Sequence, residues 1–136
     1  YIMIQPLLVF SDIGLLLLRV VLGIILVFHG WPKIRDLRQN AVTFDSMGFK
    51  PGLFWGTLVA KLEVFGGLLL IFGFLTQIVS LLLVIQFIVV ILKLKRKQKL
   101  VGGYELDLLI AAAALLLATA GSGAYSLEGY FRFWLY

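Results

Sequence analysis

The sequence predicts an all-α integral membrane protein built as a four-helix transmembrane bundle. Hydrophobic residues make up 62% of its 136 residues, whereas soluble domains contain about 45–50%, and the mean hydropathy is +1.06. Four apolar segments approach the roughly 20 residues that a helix needs to cross a bilayer. They are residues 13–31, 53–75, 78–94 and 104–120. We therefore predict a single transmembrane domain over residues 1–136.

Local signals predict where the first two spans begin and end. Ser11 and Asp12 have side chains typical of a helix N-cap. Pro32 lacks a backbone N–H, so the first helix should end or kink near it. The polar loop of residues 32–52 is long enough for a short interfacial helix, and Pro51 at its end marks the start of the second span.

The later spans are separated by short connections. Thr76 and Gln77 alone separate the second span from the third, which predicts two antiparallel neighbours. Gly102 and Gly103 precede the fourth span, and Gly121 follows it. The third span also contains Gln86 near mid-depth, which we attribute to hydrogen bonding within the bundle.

Positive charge predicts the orientation of the chain. Loops 32–52 and 93–103 lie on one face and together contain nine Lys and Arg residues. The positive-inside rule places both loops in the cytoplasm and both termini outside, in a prokaryotic cytoplasmic membrane. This charge indicates topology rather than nucleic-acid binding, although the basic run of loop 93–103 also suits anionic lipid.

Two opposite charges lie inside the apolar spans, Arg19 in the first and Glu63 in the second. Ionisable groups within a membrane are costly and mark a buried partner or a functional path. Small residues at helical spacing, Gly23 beside Arg19 and Gly67 beside Glu63, predict that both charges face other helices. Arg19 lies 13 residues before Pro32, and Glu63 lies 12 residues after Pro51. Counted from those prolines, both charges have the same depth, so we predict that they pair.

A second polar group should lie near the cytoplasmic face, where the first span delivers a histidine and a lysine and the fourth begins with a tyrosine and two acids. The predicted polar pocket comprises Arg19, His29, Lys33, Lys61, Glu63, Tyr104, Glu105 and Asp107. Three interpretations of these residues remain open: a salt bridge that fixes helix register, a ligand pocket and a proton path.

Composition limits the chemistry of the chain itself. It has no cysteine and one histidine, which excludes thiolate metal sites, CxxC redox chemistry and thioether-linked haem. The spacing of its carboxylates matches no zinc or di-iron motif, so we expect no metal site and no covalently bound cofactor.

Four motifs in order resemble the DoxX family of small four-span membrane proteins. They are Arg19-x3-Gly23 with His29-Gly30-x2-Lys33, then Glu63-x2-Gly66-Gly67 with Gly73, then Tyr104-Glu105, and last Gly121-x-Gly123-x2-Ser126-Leu127-Glu128. The last motif departs mildly, with Glu128 where the family commonly has Asp. The resemblance covers nearly the whole chain.

The resemblance implies a redox-associated membrane subunit, because the family is similar to the membrane subunit of a thiosulfate:quinone oxidoreductase. A quinone or another small ligand is then expected in the polar pocket. For a quinone, His29 and Tyr104 would hydrogen-bond its oxygen, and Glu105 or Asp107 would exchange its proton. Other membrane or redox subunits and the lipid bilayer are the expected partners, with no nucleic acid. The alternatives are an accessory subunit of a larger membrane complex, without catalysis of its own, and a small transporter or channel. Whether the chain is itself an enzyme stays open.

Overall fold

The computed structural model describes residues 5–95 and 97–135. Its helices are α1 (Ser11–Arg35), α2 (Leu37–Ser46), α3 (Gly52–Phe72), α4 (Thr76–Leu94), α5 (Glu105–Ala120) and α6 (Leu127–Leu135). A 3-10 turn, Pro6–Phe10, precedes α1, and a π-helical turn, Leu100–Tyr104, precedes α5. Within the described residues, four helices are long and apolar enough to cross a membrane: α1, α3, α4 and α5 with their adjoining turns. The predicted all-α membrane bundle is confirmed.

The four spanning helices form two closely packed pairs, α1 with α3 and α4 with α5. The start of α1, the turn between α3 and α4, and the end of α5 lie on one side, which we call the terminal side. Helix α2 and the connection from α4 to α5 lie on the other, which we call the loop side. Large apolar side chains such as Phe28, Phe65 and Leu109 cover the outer surface, as lipid contact requires.

Glycines bring α1 and α3 into backbone contact. A Cβ built on Gly23 would lie 2.5 Å from the carbonyl oxygen of Gly67, and one built on Gly30 would lie 2.8 Å from Cβ of Glu63. Close approach through small residues is a usual means of helix association in membranes. Fully buried leucines from all four spanning helices, Leu26, Leu70, Leu83 and Leu117, complete the core.

Helix α1 extends further than the sequence suggested, because it passes through Pro32 and ends at Arg35. Pro32 lies in its last turn, where the missing N–H removes one hydrogen bond without interrupting a long helix. Helix α3 ends earlier than predicted, at Phe72, since Gly73 adopts a left-handed conformation (φ +71°). A side chain at Gly73 would also collide with Ser126 and Arg19.

The connection after α1 contains the short helix that the loop length allowed. Asp36 caps α2 by accepting a hydrogen bond from the backbone N–H of Gln39 at 3.1 Å. Asn40 is buried and donates from Nδ2 to the carbonyl of Gly56 at 2.8 Å. This contact fastens α2 to the first turns of α3 on the loop side.

Candidate functional site

Arg19 lies in a polar cluster at the terminal side. Its side chain is 1% exposed, and it donates from Nη1 to the carbonyl of Ser122 and from Nη2 to that of Tyr125 at 2.7 Å. Glu128 accepts a hydrogen bond from the backbone N–H of Thr76. The backbone N–H of Glu128 donates to the carbonyl of Gly73 at 3.1 Å. Arg19 and Glu128 therefore fasten the segment between α5 and α6 to the end of the bundle.

The predicted pairing of Arg19 with Glu63 is wrong. Helices α1 and α3 are antiparallel, with Gly30 beside Glu63 and Arg19 beside Gly73. The 11 residues from Arg19 to Gly30 separate the two charges by about 16 Å along the helix axis at 1.5 Å per residue. The prediction treated Pro32 and Pro51 as markers of the same membrane face. Pro32 instead lies inside α1, two residues beyond Gly30 and close to the level of Glu63, whereas Pro51 precedes the first residue of α3.

Glu63 pairs instead with Lys33, from the last turn of α1. Both carboxylate oxygens of Glu63 lie 2.9 Å from Lys33 Nζ, and Oε1 also accepts from Nε2 of Gln86 at 2.9 Å. Glu63 is 3% exposed, while Lys33 is 32% exposed. Burial of a carboxylate in a membrane is offset only by such charged and hydrogen-bonded partners. Three helices, α1, α3 and α4, thus meet at one polar cluster, which we call the Glu63 cluster (Lys33, Glu63, Gln86).

The other predicted pocket residues do not join the Glu63 cluster. His29 and Lys61 are exposed on the outer surface, and Tyr104 is half-buried in the turn before α5. Glu105 is exposed and accepts a hydrogen bond from the backbone N–H of Gly102 at 3.3 Å. Asp107 makes an ion pair with Lys95, which ties α4 to α5 on the loop side.

Sequence reasoning left two partners out of the pocket. Gln86 was recognised as a polar residue at mid-depth, but its contact with Glu63 depends on the rotation of α4. Glu128 appeared only as the end of a motif, and its link to Thr76 depends on how α6 folds back over the turn. Both were visible as polar residues within or beside apolar spans, and this signal would have been sufficient to include them as candidates.

The Glu63 cluster can hold a polar group where α1, α3 and α4 meet. Lys33 carries three N–H donors, and Oε1 of Gln86 is buried without a hydrogen-bond partner among the described residues. Beyond its internal bonds, the cluster thus offers a donor on Lys33 and an acceptor on Gln86. No group of three or more His, Cys, Asp or Glu side chains with metal-binding geometry occurs in the described part of the chain.

Comparisons with known proteins identify one matching family and two relatives. A sequence model described as DoxX matches residues 14–96. The chain is 35% identical over 117 residues to "Putative oxidoreductase CatD" of Bacillus subtilis (strain 168), covering 86% of each protein. It is also 35% identical over 122 residues to "Inner membrane protein YqjF" of Escherichia coli (strain K12), covering 87% of this chain and 92% of that protein. No solved structure gives a significant match.

Proposed function

The chain belongs to the DoxX family, and on that premise we propose that it is a redox-associated membrane subunit that binds a quinone headgroup at the Glu63 cluster. The observation that carries the proposal is a carboxylate 3% exposed within a membrane span, held by a lysine that remains 32% exposed. An intramembrane ionisable residue is by default a functional site. A quinone in the bilayer would approach this pair from the exposed part of Lys33.

The chemistry of the cluster suits both redox states of a quinone. A quinone presents carbonyl oxygens, which accept hydrogen bonds, and the Lys33 ammonium is a donor. A quinol presents hydroxyl groups, which donate, and Oε1 of Gln86 is an acceptor without a partner in the described residues. Glu63 orients both partners through its contacts at 2.9 Å. The cluster can therefore hold the headgroup before and after reduction.

The electrons in this proposal come from a partner redox protein. The chain has no cysteine and a single histidine, so it lacks the ligand sets that hold iron–sulfur clusters or bis-histidine haem. A relative named as an oxidoreductase supports a redox setting. The subunit would supply the membrane binding site, and the partner would supply the reducing equivalents.

A thermal stability assay tests the proposal. Short-chain ubiquinone and menaquinone analogues should raise the melting temperature of the purified protein, since a ligand at 100 times its Kd stabilises the folded state by about 2.7 kcal/mol. Lys33→Met should abolish the shift. Lys61→Met is the matched control, because Lys61 is an exposed lysine only two residues from Glu63, and it should retain the shift.

Two outcomes would contradict the proposal. A melting temperature unchanged by both analogues would argue against a quinone site in this protein. An equal shift in the wild type and in Lys33→Met would show that the analogues bind away from Lys33. If the chain also copurified with a stable partner while showing no shift, the accessory-subunit alternative would be supported. The role of this chain in that complex would then be structural.

A further inference from the structure

We propose that internal water molecules connect the terminal side of the bundle to Glu63, giving this buried carboxylate a route for proton exchange. The starting observation is four buried polar atoms that lack a hydrogen-bond partner among the described residues. They are Arg19 Nε, Thr76 Oγ1, Ser80 Oγ and Gln86 Oε1. Three of the four belong to α4, and the fourth lies beside the turn that starts α4.

Such atoms need a partner. A polar group buried in an apolar interior without a hydrogen bond costs several kcal/mol, and within a bilayer no bulk solvent offsets this cost. Thr76 and Ser80 are each 0% exposed, and Arg19 is 1% exposed. Buried water is the usual partner for polar atoms in this situation, and each such molecule commonly makes two to four hydrogen bonds.

The positions of these atoms fit a short chain of waters. Thr76 and Ser80 are one turn apart on α4, about 6 Å along the axis. Gly66 of α3 lies against Val79, because a Cβ on Gly66 would be 3.1 Å from Val79 Cγ1. Ser80 therefore lies near the level of Gly66, which is about 4.5 Å along α3 from Glu63. One water with two hydrogen bonds of about 2.8 Å spans about 5.6 Å, and two waters in series span about 8.4 Å, so one or two waters suit each gap.

The outer end of the route is Glu128, at the terminal side. Glu128 is half-buried there, and its carboxylate accepts from the backbone N–H of Thr76. Along such a route a proton moves by exchange, with each oxygen accepting one proton and releasing another, so that only the charge is displaced. The inner end is Glu63, whose Oε1 is bonded to Gln86. The route runs through Thr76 and Ser80 and does not use Gln86 Oε1, the atom proposed to bind a quinol, so this inference does not depend on quinone binding.

Water-edited solid-state NMR on the labelled protein in proteoliposomes, without quinone, tests the route. We expect magnetisation from water to reach the side chains of Ser80 and Glu63. Leu83, which is fully buried on the same helix, should receive none. Thr76→Val replaces a hydroxyl by a methyl of the same size and should cause loss of the water signal at Ser80 and Glu63. Ser80→Ala should cause its loss at Glu63.

The matched control is Thr119→Val, the same substitution at an exposed residue whose hydroxyl donates to carbonyls of its own helix. It should leave the water signals at Ser80 and Glu63 intact. If Thr76→Val does not fold, Ser80→Ala decides alone. A water signal at Glu63 without one at Ser80 would show that water reaches Glu63 from the side of Lys33, and it would overturn the route. The absence of water magnetisation at both Ser80 and Glu63 would also overturn the route. So would a water signal at Glu63 that persists in Thr76→Val and Ser80→Ala. None of these results bears on the melting shift with quinone analogues.

Discussion

An alanine at Gly23 tests the contact on which the α1–α3 pair depends. Its Cβ would lie 2.5 Å from the carbonyl oxygen of Gly67 and 2.6 Å from Cγ1 of Ile71. Carbon–oxygen contacts of this kind have lengths of about 3.3 Å or more, so the helices must separate by about 0.8 Å. Overpacking of this type costs about 1–3 kcal/mol. We expect Gly23→Ala to lower the free energy of unfolding by that amount.

Gly14→Ala is the matched control, since Gly14 lies in the same helix and has no atom within 4 Å of a built Cβ. Alanine is the better helix former by about 0.5–1 kcal/mol, so this variant should be as stable as the wild type or slightly more so. Denaturant titration of both variants in one detergent measures the difference. Equal stability of Gly23→Ala and Gly14→Ala would refute the backbone contact and the antiparallel register derived from it.

Three further substitutions probe the polar contacts. Glu63→Leu leaves Lys33 without its partner and should lower the free energy of unfolding by up to about 3 kcal/mol, the low end for a buried pair, because Lys33 is 32% exposed. Adding Lys33→Met should restore most of this loss in a denaturant titration. A double variant no more stable than the single one would contradict the pair. Arg19→Met removes two charged hydrogen bonds worth about 1.5–3 kcal/mol each and should speed limited proteolysis after α5, whereas unchanged cleavage would argue against its fastening role. Asn40→Ala removes one neutral hydrogen bond to Gly56, so it should lower the melting temperature less than Arg19→Met; an equal or larger drop would disagree with the contact.

Much of the fold was predictable because membrane insertion constrains sequence strongly. Each spanning helix needs a long apolar run, and such runs are visible without knowledge of tertiary contacts. The faces of Arg19 and Glu63 were predictable for a similar reason, since Gly23 and Gly67 share those faces and small residues mark helix contacts. Both charges are indeed buried.

The partners of those charges were not predictable in the same way. A pairing depends on how far one helix slides along another, and the sequence offered only Pro32 and Pro51 as markers of depth. Because Pro32 lies near the level of Glu63 and Pro51 lies 12 residues before it, the assumption of one common depth displaced Arg19 by about three turns relative to Glu63. The backbone carbonyls that accept from Arg19 have no side-chain signature, so the sequence could not indicate them.

The most direct test of the account is equilibrium binding of a short-chain quinone to the protein in lipid nanodiscs, measured by isothermal titration calorimetry. Empty nanodiscs correct for partition into lipid. Gln86→Leu removes the acceptor Oε1, together with the hydrogen bond from Nε2 to Glu63, and keeps the ion pair of Lys33 with Glu63. Saturable binding to the wild type is expected, with affinity for the quinol form reduced about tenfold or more in Gln86→Leu, as loss of a buried hydrogen-bond partner implies. Heats that never saturate, or that match those of empty nanodiscs, would contradict a quinone site at the Glu63 cluster.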